Sequence, residues 1–317
     1  MPDRAAPPLA DRLNGLLFFP VTPFRPDGSL DLDALRTHVR TGVEGGAGAV
    51  FAACGTGEYH ALDLDEYEAV VAAAVETAAG RVPVVAGVGH GTALAKQFAQ
   101  RAGRAGADGL LVLPPYLVTA DQDGLLRHFA ALAASTDLDL IVYQRDNAVL
   151  TPASVVRLSQ LKQVIGIKDG CGDLDLMQRI ISAMRTEAPG RRFLYFNGLP
   201  TAELTGPAYR GIGVTLYSSA VYCFAPDIAL AFHRALLSGD DAVVNALLDG
   251  FYRPLVELRN QGRGYAVSLV KAGVRLEGLE VGGVRPPLSE PAPRHIKELA
   301  ELIARGRALL ADRAAEK

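Results

Sequence analysis

Eight short apolar runs punctuate the chain, at residues 16–21, 49–53, 82–88, 109–113, 138–143, 164–168, 193–197 and 213–217, and longer stretches with helical spacing separate them. The runs are rich in Val, Ile, Leu and Phe. They are continuous rather than alternating, as a parallel sheet covered by helices on its outer side requires. The intervening stretches carry their own start and stop signals. Leu32, Leu35, Val39 and Val43 fall on one helical face that ends at Gly45-Gly46. Asp63 and Glu66 have the spacing of a reciprocal N-terminal cap, and Gly80 stops that helix. Thr151-Pro152 opens another helix, with proline where its missing N–H costs nothing. Asp173 opens the next, whose stripe is Leu174, Met177, Ile180, Ile181 and Met184. Eight such units predict an α/β chain closed into a (β/α)8 TIM barrel.

After Tyr217 the pattern is helical only, over residues 225–314, with Ala225-Pro226 as a start and Gly262, Gly264, Gly282-Gly283 and Pro286-Pro287 as breaks. That exceeds the single helix needed to close an eightfold barrel by roughly two or three helices. The expectation is a barrel core over 1–224 and an additional C-terminal helical segment over 225–317, packed on the barrel and not an independent domain. A length of 317 residues with 49 % apolar and 21 % charged side chains suits one large core. Lys and Arg are scattered and the net charge is −3, so no basic stripe offers itself to nucleic acid. Cys54, Cys171 and Cys223 form no C-x-x-C pair, and the six histidines show no H-x-H or H-E-x-x-H spacing. Neither a disulfide framework nor a metal site is expected, and a cytoplasmic location fits. No apolar run approaches the roughly 18 residues of a membrane span, and residues 1–12 lack the apolar stretch of an export signal.

Loops that follow the strands of such a barrel form its functional face. Here they present Thr22, Gly55-Thr56-Gly57-Glu58, His90, Pro114-Pro115-Tyr116, Tyr143-Gln144-Arg145, Lys168-Asp169, Asn197-Gly198 and Ser218-Ser219. Lys168 ends the run Val164-Ile165-Gly166-Ile167, where apolar walls favour an uncharged, nucleophilic amine able to form a Schiff base; a lysine that snorkels to water is the alternative. Tyr143 ends the preceding strand and can shuttle protons beside Lys168 or simply pack the barrel mouth. Gly55-Thr56-Gly57-Glu58 offers backbone N–H groups and one hydroxyl, a combination suited to a carboxylate or phosphate oxygen. Gly45-Gly46-Ala47-Gly48-Ala49 precedes a strand instead of following one, so nicotinamide and flavin cofactors are not expected. Cys54 reads as a small buried hydrophobe.

The run Phe19-Pro20-Val21-Thr22-Pro23-Phe24, the Gly55–Glu58 loop, Pro114-Pro115-Tyr116, Tyr143 and Gly166-Ile167-Lys168-Asp169 resemble, in order and spacing, the dihydrodipicolinate synthase and N-acetylneuraminate lyase superfamily of Schiff-base barrels. Tyr143-Gln144-Arg145-Asp146-Asn147, Asn197-Gly198-Leu199-Pro200-Thr201-Ala202-Glu203, Tyr217-Ser218-Ser219-Ala220 and Gly264-Tyr265-Ala266-Val267-Ser268-Leu269-Val270-Lys271 are similar to its 5-dehydro-4-deoxyglucarate dehydratase branch. The resemblance implies a cofactor-free lyase with a Lys168 Schiff base and a Tyr143 proton relay. It also implies a loop of Gly55, Thr56 and Gly57 that holds the carboxylate of a 2-oxo acid, and a homo-oligomer, tetramer or dimer.

Two departures narrow that reading. Gly55 stands where synthases and lyases usually carry the first of two adjacent hydroxyl residues, and Leu117 follows Tyr116 where the synthase places a second tyrosine. Both argue against lysine-biosynthetic condensation, and the resemblance to the dehydratase branch implies decarboxylating dehydration of a dicarboxylic sugar acid to 2,5-dioxopentanoate, CO2 and water. The same iminium would serve a 2-oxo-3-deoxy sugar acid aldolase, and a sugar-acid binding barrel is the non-enzymatic alternative. With the ketone-side carboxylate on the Thr56 loop, Arg145 is the expected partner of the distal carboxylate; a surface salt bridge to Asp146 or Asp169 is its alternative, and Ser219 the substitute donor. Asn197 completes the expected substrate contacts.

Overall fold

Hydrogen bonds between successive parallel strands close the apolar runs into a ring in which β8 returns to β1. A computed structural model describes residues 7–315; residues 1–6 of the N-terminal stretch, and 316–317, lie outside the described part. The strands are β1 (Leu17–Phe18), β2 (Ala49–Ala52), β3 (Val84–Val88), β4 (Gly109–Val112), β5 (Asp139–Gln144), β6 (Val164–Asp169), β7 (Leu194–Asn197) and β8 (Leu216–Ser219). The expected TIM barrel with a C-terminal helical addition is therefore the fold.

Local signals act where the sequence puts them. Asp63 accepts from the backbone N–H of Glu66, and Glu66 reaches back to the N–H of Asp63, closing the reciprocal cap of helix Leu64–Ala78. Thr151 caps helix Pro152–Ser159, and Asp173 caps helix Leu174–Glu187. β8 begins later than its apolar run, because Gly213 takes a left-handed turn after helix Gly206–Gly211.

Two packed layers follow from strand alternation. Leu17, Phe19, Phe51, Leu111, Ile141 and Phe196 fill the barrel interior, while the opposite strand faces meet the helices in the larger outer core. Each fully buried Leu, Ile or Phe contributes about 1.5–3 kcal/mol. The pairing of β5 with β6 slips by one residue: Leu140 pairs with Val164, but Ile141 pairs with Gly166. Ile165 is thus an extra residue, a bulge, and it reverses the facing of everything after it. Without that slip Lys168 would point at the helices; with it, Lys168 pairs with Tyr143 and faces inward. Gly166 permits the slip, since a Cβ there would stand 2.6 Å from the carbonyl oxygen of Leu194.

Helix Pro226–Ser238 completes the eighth unit. Beyond it come helices Asp241–Leu247 and Arg253–Arg259 joined by the π turn Leu248–Tyr252, then Tyr265–Leu276, and last Pro293–Ala315, which lies against Pro226–Ser238 and the π turn. Among the described residues no helix is long and apolar enough to cross a membrane.

Candidate active site

At the strand C-terminal ends opens a cavity of about 570 Å³, a size suited to a small ligand. Lys168 and Tyr143 stand on its floor, both buried. Lys168 Nζ lies 4.0 Å from the centroid of the Tyr143 ring and 5.3 Å from that of Phe19. Both side chains point at one atom: the carbonyl oxygen of Gly198 accepts from Tyr143 Oη at 2.8 Å and from Lys168 Nζ at 3.3 Å. Gly198 cannot carry a side chain, because a Cβ would come within 2.7 Å of Lys168 Cγ and 2.9 Å of Nζ. An amine held over two aromatic faces, next to a phenol, is placed to attack a carbonyl and have its protons moved.

Gly55 and Thr56 line the cavity opposite, in the loop after β2. Gly57 is buried behind them, and its carbonyl accepts from Thr22 Oγ1 at 2.6 Å. It shapes the loop without lining the cavity. Glu58, in a left-handed conformation at φ 54°, ends the loop and turns its carboxylate away into the protein. Cys54 is fully buried, its thiol pushed up to about 12 by burial, which suits packing and not nucleophilic attack.

Residues 12–305 match the dihydrodipicolinate synthetase family. The chain belongs to that family. A Streptomyces griseus subsp. griseus protein named as a probable 5-dehydro-4-deoxyglucarate dehydratase is 70 % identical over 311 residues, covering 97 % of this chain and 97 % of its own. A Streptomyces avermitilis protein named as probable 5-dehydro-4-deoxyglucarate dehydratase 1 is 70 % identical over 306 residues, covering 96 % and 97 %. The crystal structure of dihydrodipicolinate synthase from Bacillus clausii matches with a TM-score of 0.86 at 26 % identity, covering 94 % of this chain and 99 % of that one.

On this family barrel, two more expected contacts besides Gly57 lie elsewhere. Asn197 is buried outside the cavity; its amide donates to Ala202 O and Thr205 Oγ1, both at 2.9 Å, and its Oδ1 accepts from the N–H of Leu199. Ser219 is equally buried, donating to Glu203 Oε1 at 2.5 Å and accepting from the N–H of Tyr222. The reason is strand alternation: Phe196 and Ser218 face in, so Asn197 and Ser219 face the helices. Ser218 is the hydroxyl that lines the cavity.

Arg145 does line the cavity, and its Nε also bonds Asp146 Oδ2 at 3.0 Å. Burial works against its charge, but the Tyr143 phenol and the Asp146 carboxylate outweigh it and raise its pKa. His90 lines the same wall with a left-handed backbone, φ 68°, and burial lowers its pKa. Beneath the floor, Asp169 accepts from Gln144 Nε2, the N–H groups of Cys171 and Gly172, and the Tyr209 phenol, so the β6 end that carries Lys168 is firmly held.

Proposed function

We propose that the protein is a cofactor-free lyase that converts 5-dehydro-4-deoxyglucarate to 2,5-dioxopentanoate, CO2 and water. The observation that carries this reading is the convergence of Lys168 and Tyr143 on one carbonyl, in a chain 70 % identical to relatives named for that activity. The Lys168 amine adds to the ketone carbon. Water then leaves the carbinolamine, Tyr143 moving the protons, and an iminium forms. The iminium acidifies the adjacent CH2, whose deprotonation gives an enamine. Its electron pair expels the next hydroxyl, which departs as water after taking a proton. The conjugated iminium so formed accepts the electron pair released as the distal carboxylate leaves as CO2. The dienamine left behind takes up a proton on carbon to become an iminium again, its enol end takes up a second to become the aldehyde, and hydrolysis then frees the product and restores Lys168.

Gly55 and Thr56 hold the carboxylate beside the ketone in this reading, and Arg145 holds the distal one. Assembly as a homo-oligomer, dimer or tetramer, belongs to the same proposal. Tyr116 and Leu117 at the cavity rim, and Val118 next to them in the chain, are 66, 81 and 58 % exposed, an apolar surface suited to a subunit contact. The cytoplasmic location is proposed with it, in keeping with three unpaired cysteines.

Incubation with 5-dehydro-4-deoxyglucarate and, separately, with 2-oxo-3-deoxygluconate tests the reaction class. CO2 and 2,5-dioxopentanoate from the first substrate are expected. Pyruvate release from the second, with the first untouched, would replace the dehydratase by an aldolase.

A further inference from the structure

Lys168 and Tyr143 both bond the Gly198 carbonyl, and the turn that carries it is tied down at three places. Asn197 spans its base. Arg259, from helix Arg253–Arg259, donates to Thr201 Oγ1 at 2.7 Å. Glu203, in the short 3-10 helix Ala202–Thr205 that ends the turn, receives Ser219 Oγ from β8 at 2.5 Å.

Glu203 is the unusual one. Its side chain is wholly buried, and its second oxygen, Oε2, has no hydrogen-bond partner. A side cavity of about 30 Å³ adjoins it, bordered by Arg259 and Tyr265 and meeting the main cavity at Pro200, Ala220 and Ala266. A buried carboxyl with one unsatisfied oxygen is costly, and an apolar residue would pack there more cheaply.

We propose that Glu203 is a positioning residue for the catalytic pair: its bond to Ser219 pins the 198–203 turn on β8 and so fixes the Gly198 carbonyl that receives Lys168 and Tyr143. The inference rests on the reading of Lys168 as the imine-forming amine. Ser219 Oγ donates to Glu203 Oε1 at 2.5 Å, and a charged acceptor makes such a bond roughly twice as strong as a neutral one, so ionisation of the carboxylate tightens the grip. Burial pushes Glu203 up to about 7, with the Ser219 bond opposing it.

The groups that face Glu203 leave this titration to it. Tyr217 on β8 and Tyr252 in the π turn are pushed far up by burial, with the Glu203 charge adding to the effect, and stay neutral. Helix Pro226–Ser238 contributes Asp227, which acts on Tyr252, and His233, which lies against Tyr217 with its pKa lowered by burial. Arg259 and Tyr265 border the side cavity.

The test follows imine formation with pyruvate, trapped by borohydride, from pH 5.5 to 9 on the full chain. Wild-type protein should lose capture rate below about pH 7. Glu203→Gln should flatten that limb and run on the order of tenfold below the wild-type plateau, the scale of a lost charge-assisted hydrogen bond. Ser219→Ala removes the same bond at every pH and should likewise flatten the limb and lower the plateau. This second variant carries the test should Glu203→Gln fail to fold. Limbs unchanged in the folded variants overturn the inference alone. No pyruvate capture by wild-type protein overturns the Lys168 reading and this inference together.

Discussion

Glu58 and Lys271 form an ion pair 2.7 Å long with neither side chain exposed to solvent, and it joins the end of the Thr56 loop to helix Tyr265–Leu276 in the C-terminal segment. Glu58 Oε2 also accepts the N–H of Arg285, and Lys271 Nζ donates to the carbonyl of Gly283 and sits 4.1 Å from the centroid of the Phe24 ring. Arg285 in turn clasps both oxygens of Glu66, the residue that closes the cap of helix Leu64–Ala78. The C-terminal helices are thereby fastened to the loop that faces the substrate cavity.

Removing one partner of such a pair leaves an uncompensated buried charge, so Lys271→Met should destabilise the protein by about 3–5 kcal/mol. Urea unfolding measures this. The double variant Glu58→Gln, Lys271→Met should regain much of the loss, because the amide can still accept from Arg285. A cost of under about 1 kcal/mol for Lys271→Met would mean that the pair holds nothing together.

Borohydride reduction in the presence of substrate should place the added mass on Lys168, as read by peptide mapping. Mass on Lys162 or Lys271 instead would refute the assignment. Lys168→Ala should lose essentially all turnover. Tyr143→Phe should still bind substrate but slow by on the order of 10²-fold or more, the scale of a lost proton-transfer group.

The strands, caps and rim residues could be read from the sequence because each is written in a few neighbouring side chains. Asp63, Thr151 and Asp173 cap the helices they announce. What could not be read is set by pairing between strands. The phase of β8 decides that Ser218 and not Ser219 meets the cavity, and that phase depends on its register with β1 and β7. The inward aim of Lys168 depends on the bulge at Ile165, for which Gly166 inside an apolar run was the one available sign. The Gly198 carbonyl has no side chain to announce it. Glu58 and Lys271 are ordinary charges in sequence, and only the fold makes them partners.

Arg145 should act mainly on binding. The carboxylate assigned to it is the one lost as CO2, and a cation that stabilises the carboxylate gains nothing when that charge disappears. Arg145→Met should therefore raise KM for the dicarboxylate by roughly ten- to a hundredfold, or about 1.5–3 kcal/mol, with a smaller change in kcat. An analogue with a neutral distal end should be processed equally by both proteins. Steady-state kinetics on the two substrates decide the matter: equal losses on both, or none on either, would remove Arg145 from the site.

Two buried groups, His38 and Glu203, pull the stability of the protein in opposite directions as pH changes. His38 is packed edge-on against Phe18 with ring centroids 5.0 Å apart, its Nε2 has no hydrogen-bond partner, and burial lowers its pKa from 6.5 to about 4. Between those values the unfolded chain binds the proton that the folded protein refuses, so this contribution to stability is lost as pH falls. Glu203 is raised from 4.5 to about 7 by burial, with the Ser219 bond opposing the rise. There the folded protein keeps a proton that the unfolded chain has released, so its contribution is lost as pH rises. At about 1.4 kcal/mol per pH unit, each separation corresponds to roughly 3 kcal/mol, and the two slopes offset one another between about pH 4.5 and 6.5. Denaturant unfolding across pH 4.5–8 on three proteins separates them. The stability of wild type relative to His38→Phe should fall as the solution is acidified, whereas wild type relative to Glu203→Gln should fall as it is made alkaline. The constant offset of each variant reflects packing and carries no weight; the sign of the slope does. Parallel curves for wild type and His38→Phe would show that His38 already takes up its proton in the folded protein, and parallel curves for Glu203→Gln would show that the buried carboxyl titrates as an ordinary one.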